Sequence, residues 1–152
     1  MRIFVAALLA AGALSAPALG DDVRTALQEF GLIGTWSSDC SKEISQPRAS
    51  RVVFAAPVEG ATTATAQDNN GEVLVTTVYE IVESAIIDSD KIRIALHPLT
   101  VTKSDGKAAS QHEYDDLHLV FQKVGERIEV IRVQFEGLPE IQRTDFFEKC
   151  PN

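Results

Sequence analysis

Cysteine, tryptophan, methionine and histidine are scarce in this 152-residue chain, at two, one, one and three copies, and each shortage closes off a class of function. So few Cys and His argue against a zinc site, which needs four clustered ligands. No Cys-x-x-Cys, Gly-x-Ser-x-Gly or His-Glu-x-x-His is present, so the chain carries none of the common redox, hydrolase or metalloprotease signatures. We therefore expect neither enzyme activity nor a cofactor. Basic residues are also short, 14 against 22 acidic, for a formal net charge of −8. That sign argues against nucleic acid and anionic membrane surfaces as partners, both of which call for clustered Lys and Arg.

Long apolar runs are missing too, except at the very start. Arg2, the apolar run Ile3 to Leu14 and a small-x-small site at Ala16-Pro17-Ala18 or Ala18-Leu19-Gly20 have the layout of an export leader, with cleavage expected after Gly20. A membrane anchor would need about 20 uninterrupted apolar residues, and Pro17 and Gly20 interrupt this run. A lipoprotein would need Cys directly after the leader, where Asp21 stands. The expectation is a signal peptide over 1–20 and one domain over 21–152, periplasmic or secreted, monomeric, with no membrane insertion once the leader is gone. In an oxidising compartment two cysteines near the ends of the mature chain read as one disulfide, Cys40 to Cys150.

What is present is dominated by period two. A short helix is expected first: Asp21 as cap, Val23, Ala26, Leu27 and Phe30 at helical spacing, and Gly31 as stop. The stretch Gly31-Leu32-Ile33-Gly34-Thr35-Trp36-Ser37-Ser38-Asp39-Cys40 then organises the chain. Its lone indole must find a buried site with a partner for its N–H, and Gly34 allows close approach of the backbone. Strands follow at Arg51 to Ala56, Ala61 to Gln67, Val73 to Val82, Ile92 to Leu96, Gln111 to Val124, Ile128 to Phe135 and Ile141 to Phe147. Pro98 is expected to break or bend its strand. Asp68-Asn69-Asn70-Gly71 reads as a hairpin turn rather than a calcium loop, because the twelve-residue spacing and its final Glu are missing. Ile128 and Val130 share one parity while Ile131, Val133 and Phe135 share the other, which predicts a bulge near Val130 or Ile131. About eight strands joined by tight turns predict an all-β, antiparallel up-and-down barrel with a short N-terminal helix.

A short helix followed by Gly34-x-Trp36 on the first strand, then a strand meander and a late Cys, resembles the lipocalin or calycin group, whose Gly-x-Trp strand plugs one end of the barrel. The resemblance implies that an Arg near the chain end packs over the Trp, a role open to Arg143 and, less well, Arg132. Thr144-Asp145-Phe146 echoes a lipocalin turn motif, though on the last strand. The chain is also similar to small exported periplasmic proteins of unassigned activity that begin Gly-Leu-x-Gly-Thr-Trp-x-x-Asp-Cys and end near Glu-Lys-Cys, here Glu148-Lys149-Cys150.

Candidate chemistry is thin. His112 and His118 lie about 20 Å apart if both are on one strand, too far for one metal. Glu113 and Asp115, at i and i+2, would share a strand face, with His97 opposite on a neighbouring strand; a solvated acidic edge is the simpler reading. Trp36 and Tyr79 are candidates to line a cavity. Two functions follow from the resemblance. One is a binding module for a small apolar ligand, with Ala55, Ala61, Ala64 and Ala66 leaving room inside. The other is a protein-binding module, such as a protease inhibitor acting through Asp21 to Phe30. A hollow barrel requires a cavity of about 300 Å³ or more; an interior filled by Phe54, Ile94, Leu119 and Ile131 would exclude it.

Overall fold

A computed structural model describes residues 19–151. Of the expected leader it thus includes only Leu19 and Gly20, and residues 1–18 lie outside the described residues. Helix α1 spans Leu19–Phe30. Asp21, expected as its cap, lies inside it instead. The end of the helix is as the sequence predicts. Gly31 takes φ +76°, its N–H bonds to Gln28 O and that of Leu32 to Leu27 O, both at 2.9 Å, the paired bonds of a Schellman stop.

Eight antiparallel strands follow in sequence order and close on themselves. They are β1 (Gly34–Ser37), β2 (Ala49–Ala55), β3 (Thr63–Asn69), β4 (Leu74–Asp88), β5 (Lys91–Lys103), β6 (Leu117–Val124), β7 (Arg127–Phe135) and β8 (Ile141–Lys149). Each strand pairs with its sequence neighbour, and β8 returns to β1. Such a meander needs only local turns. At the turn between β3 and β4, Asn70 Oδ1 accepts the amides of Glu72 and Val73 at 2.9 Å, so the carboxamide that a cation would need is spent on the turn.

The predicted bulge is present. Phe121 pairs with Val130 and Val120 with Arg132, leaving Ile131 unmatched, so Val130 and Val133 both face inward and are buried. Pro98 bends its strand without ending it. Tyr79 pairs with Pro98 and Val78 with Thr100, so a second bulge at Leu99 absorbs the missing N–H. One expected strand segment is absent: Gln111–Tyr114 forms a single 3-10 turn. The reason is local, since the N–H and Oγ of Ser110 both donate to the Glu113 carboxylate, at 2.6 and 2.9 Å, the Ser-x-x-Glu pattern of a helix start.

Helix α1 and Trp36 close one end of the barrel. Val23, Leu27 and Phe30 are buried on the barrel side of α1, and Ser84 of β4 donates to Val23 O. Trp36 Nε1 donates to Leu32 O at 2.7 Å, which satisfies the buried indole. Gly34 takes φ +125°, and a Cβ there would stand 3.3 Å from Lys149 Cε, so both conformation and space favour glycine. Two cations complete this end. Lys123 Nζ lies 4.4 Å from the Phe30 ring centroid and Lys149 Nζ donates to Gly31 O, placing positive charge where the carbonyl end of α1 favours it. Cys40 and Cys150 are bonded, as expected, and the bond sits at the seam where β1 meets β8.

Candidate functional site

The inward positions of the eight strands divide the barrel into a filled half and a hollow one. Toward α1, Ile92, Ile94 and Ile128 are fully buried, and Phe54 meets Phe121 edge to face at 5.7 Å between centroids. These two rings are the floor of a chamber of about 300 Å³. Its walls are apolar: Ala64 and Ala66 from β3, Leu96 from β5, Leu117 and Leu119 from β6, Val130, Val133 and Phe135 from β7, and Phe147 from β8. Of the four residues expected to fill a solid barrel, Phe54 and Ile94 fill only the closed half, Leu119 lines the chamber, and Ile131 is the bulged residue outside its lining.

Small side chains create the space, though not all those expected to. Ala64 and Ala66 line the chamber. Ala55 does not, because it follows the inward-facing Phe54 and so points outward. Ala61 precedes β3 and is exposed.

Polar groups gather at the chamber's mouth. Tyr79, Arg143 and Asp145 line both the chamber and a wider hollow of about 590 Å³ above it, which extends to Ser50, Asp68 and Thr77. Burial raises the Tyr79 hydroxyl above its ordinary pKa, offset in part by a hydrogen bond with the Thr77 side chain. Tyr79 therefore stays a neutral hydroxyl, able to donate or accept at the boundary between apolar wall and wet rim. Trp36, the other aromatic candidate, plugs the opposite end and is not among the chamber's lining residues.

Arg143 does not pack over Trp36. Trp36 pairs with Lys149 across the seam, and Lys149 Nζ stands 5.4 Å from the indole centroid. Arg143 is six residues earlier on β8, about 20 Å along an extended strand, where it approaches Asp145 at 3.6 Å. Arg132 is also elsewhere, paired with Glu140 on the outer wall. The arginine role that the resemblance implied is filled by a lysine whose position depends on barrel register.

The acidic candidates are not brought together. Glu113 accepts from Lys103 Nζ at 2.8 Å, and this bond, with those from Ser110, lowers its pKa to about 2. Asp115 instead meets His112 Nδ1 at 3.1 Å, and His97 meets Asp116 at 2.6 Å, not either of the expected carboxylates. His118 lies on the outer wall of β6, beside Arg93 and Arg132. Glu113, Asp115 and His97 thus each meet a different partner, and the expected grouping of the three is not formed. Among the described residues, no cluster of three or more His, Cys, Asp or Glu side chains is placed to hold a metal ion. What these pairs do is fasten the 104–116 segment beside the mouth.

The aromatic lining at Phe135 and Phe147 was not singled out from the sequence. Phe135 was legible in principle, since it shares its parity with Val133 beyond the bulge. Phe147 was not, because both faces of its Phe146-Phe147 pair are apolar and nothing local says which ring turns inward.

Among the described residues, no helix is long and apolar enough to cross a membrane. Compared with known proteins, the chain matches no family model, no curated protein and no solved structure.

Proposed function

We propose that this protein is a lipocalin-like binding module of the calycin type, exported to the periplasm or beyond, that takes a small apolar molecule into the open half of its barrel. The observation that carries this reading is the chamber of about 300 Å³, apolar at its walls and edged by Tyr79, Arg143 and Asp145. Its volume lies at the lower end of the range for small-molecule sites, and the rim supplies a few polar groups to orient whatever enters. The disulfide supports the exported location, since such bonds persist in oxidising compartments. Nothing favours an inhibitor acting through Asp21 to Phe30, because Val23, Leu27 and Phe30 of that segment are committed to the core.

The test is titration of the purified protein with an uncharged naphthylamine dye, beside the Ala66→Phe variant. Ala66 lines the chamber without being fully buried, so a phenyl group there fills the space with little strain on the fold. The expected result is a fluorescence rise in the parent and affinity lower by about tenfold or more in the variant, with its circular dichroism unchanged. No rise in the parent, or equal binding by both, rejects the reading.

A further inference from the structure

Strand β6 begins only at Leu117, while its neighbour β5 runs on to Lys103. The two pair from Lys91 with Gln122 to Leu96 with Leu117, so beyond Leu96 strand β5 has left β6 behind. The Ser110-x-x-Glu113 turn takes up that place. Lys103 of β5 holds Glu113 at 2.8 Å, and the Glu136 N–H, just past β7, donates to Asp116 O at 2.9 Å. The 111–116 stretch is thus tied to β5 on one side and to the end of β7 on the other, and a hollow of about 360 Å³ lies beside it. Thr77 and Tyr79 of β4, Leu117 of β6, Phe135 of β7 and Leu138 just beyond it line this hollow.

Tyr79, Leu117 and Phe135 line the chamber as well, so the two spaces adjoin at these three side chains. The acidic groups at the edge of the hollow already have partners: Glu113 has Lys103 and Ser110, and Asp115 has His112. What the hollow offers a ligand is therefore mainly hydrocarbon, from Leu117, Phe135, Leu138 and the ring of Tyr79. Leu138 is 53 % exposed, and covering it is favourable in proportion to the apolar area removed from water. The hollow on the other side of the mouth differs, since Asp68, Arg143 and Asp145 line it. A molecule whose polar end stays among those groups has an apolar space opposite for its remainder. A flexible chain can divide itself between two adjoining spaces, whereas a rigid ring system must fit whole into one.

We propose that this hollow is a second ligand compartment, and that the ligand is an unbranched aliphatic amphiphile whose chain fills the chamber and continues past Tyr79 to lie beside the 111–114 turn. The inference rests on the reading of the chamber as a binding site and adds to it the shape and length of what binds. The chamber alone, at about 300 Å³, is at the lower limit for a small-molecule site, and the adjoining hollow brings the space well inside that range.

The experiment is displacement of the naphthylamine dye by straight-chain primary alcohols of about eight to about fourteen carbons, with the dye's own affinity measured for each variant. In the parent, affinity should rise through the whole series, by about fourfold per added carbon. Leu138→Asp sets a carboxylate in the second compartment at an exposed position, where the fold tolerates it. It should weaken the longest alcohol about tenfold or more and the shortest by less than about twofold. Ala66→Phe, inside the chamber, should instead weaken every member of the series. A loss in Leu138→Asp that is equal at all lengths, or no loss at any, overturns the proposal. Affinity that stops rising in the parent short of the longest alcohol also overturns it, by confining the chain to the chamber. No displacement by any alcohol overturns the reading of the chamber itself, and this inference with it.

Discussion

The two ends of this barrel are built from the same alternating strands, yet one is solid and the other hollow. At the closed end, helix α1, Trp36 and the pair Phe54 and Phe121 stack in layers, and the large side chains there are almost entirely buried. At the open end Ala64 and Ala66 stand where bulkier residues would fill the space, and β8 runs on past the last residue of β1. A single sheet thus assigns stability to one half and access to the other, the separation expected when a rigid scaffold carries a site. The difference arises from a few small side chains and one short strand, with no change of architecture between the halves.

If the closed end carries the stability, its plug should be the most costly residue to remove. Trp36→Ala deletes a buried indole and its bond to Leu32 O, and should lower unfolding free energy by about 3–5 kcal/mol in urea titration. Phe147→Ala, at the partly open chamber, should cost clearly less. Equal losses would mean that the two halves share one undivided core.

Next in size is the disulfide. Replacing Cys40 and Cys150 together by Ser should cost about 2–5 kcal/mol by thermal or urea unfolding, with strand content at low temperature retained. The seam between β1 and β8 has little strand pairing of its own. Hydrogen exchange should therefore quicken first at Thr35 to Ser37 and later, if at all, around Ile94. Uniform quickening would contradict a weak seam tied by the bond.

The smallest effect belongs to the rim, and it depends on pH. Glu113 has its folded pKa lowered to about 2 from an ordinary 4.5, chiefly by the Lys103 hydrogen bond. A depressed carboxylate contributes stability above its unfolded pKa and loses it as pH falls through the folded value. Protection of the 104–116 amides should hold above about pH 4.5 and fade toward pH 2, while the closed end is little affected by this group. In Lys103→Met the fading should begin at higher pH, because the largest cause of the shift is gone.

Much of the closed end was legible in the sequence, and most of the open end was not. The Gly34-x-Trp36 pattern, the Gly31 stop and the two cysteines each constrain local geometry strongly, and the parity switch at Ile131 announced its own bulge. By contrast, Glu113 and Asp115 look alternating on paper, and the Ser110-x-x-Glu113 pattern that makes a turn of them went unread. The exchange of Arg143 for Lys149 over the indole is a matter of register between the first and last strands, which no local pattern encodes. The chamber depends on where eight strands lean together, so Ala64 and Ala66 could be suspected while Ala55 and Ala61 had to be discarded by the structure.

The bond between Cys40 and Cys150 spans a sequence separation of 110 residues, enclosing seven of the eight strands in one covalent ring. A ring survives one cut. A protease that severs the exposed stretch at 104–108, beside the mouth, converts that ring into a linear chain crossing the disulfide but releases no fragment. The nicked molecule keeps every strand tethered at the seam. Cleavage at the rim therefore costs the mouth of the barrel before it costs the molecule.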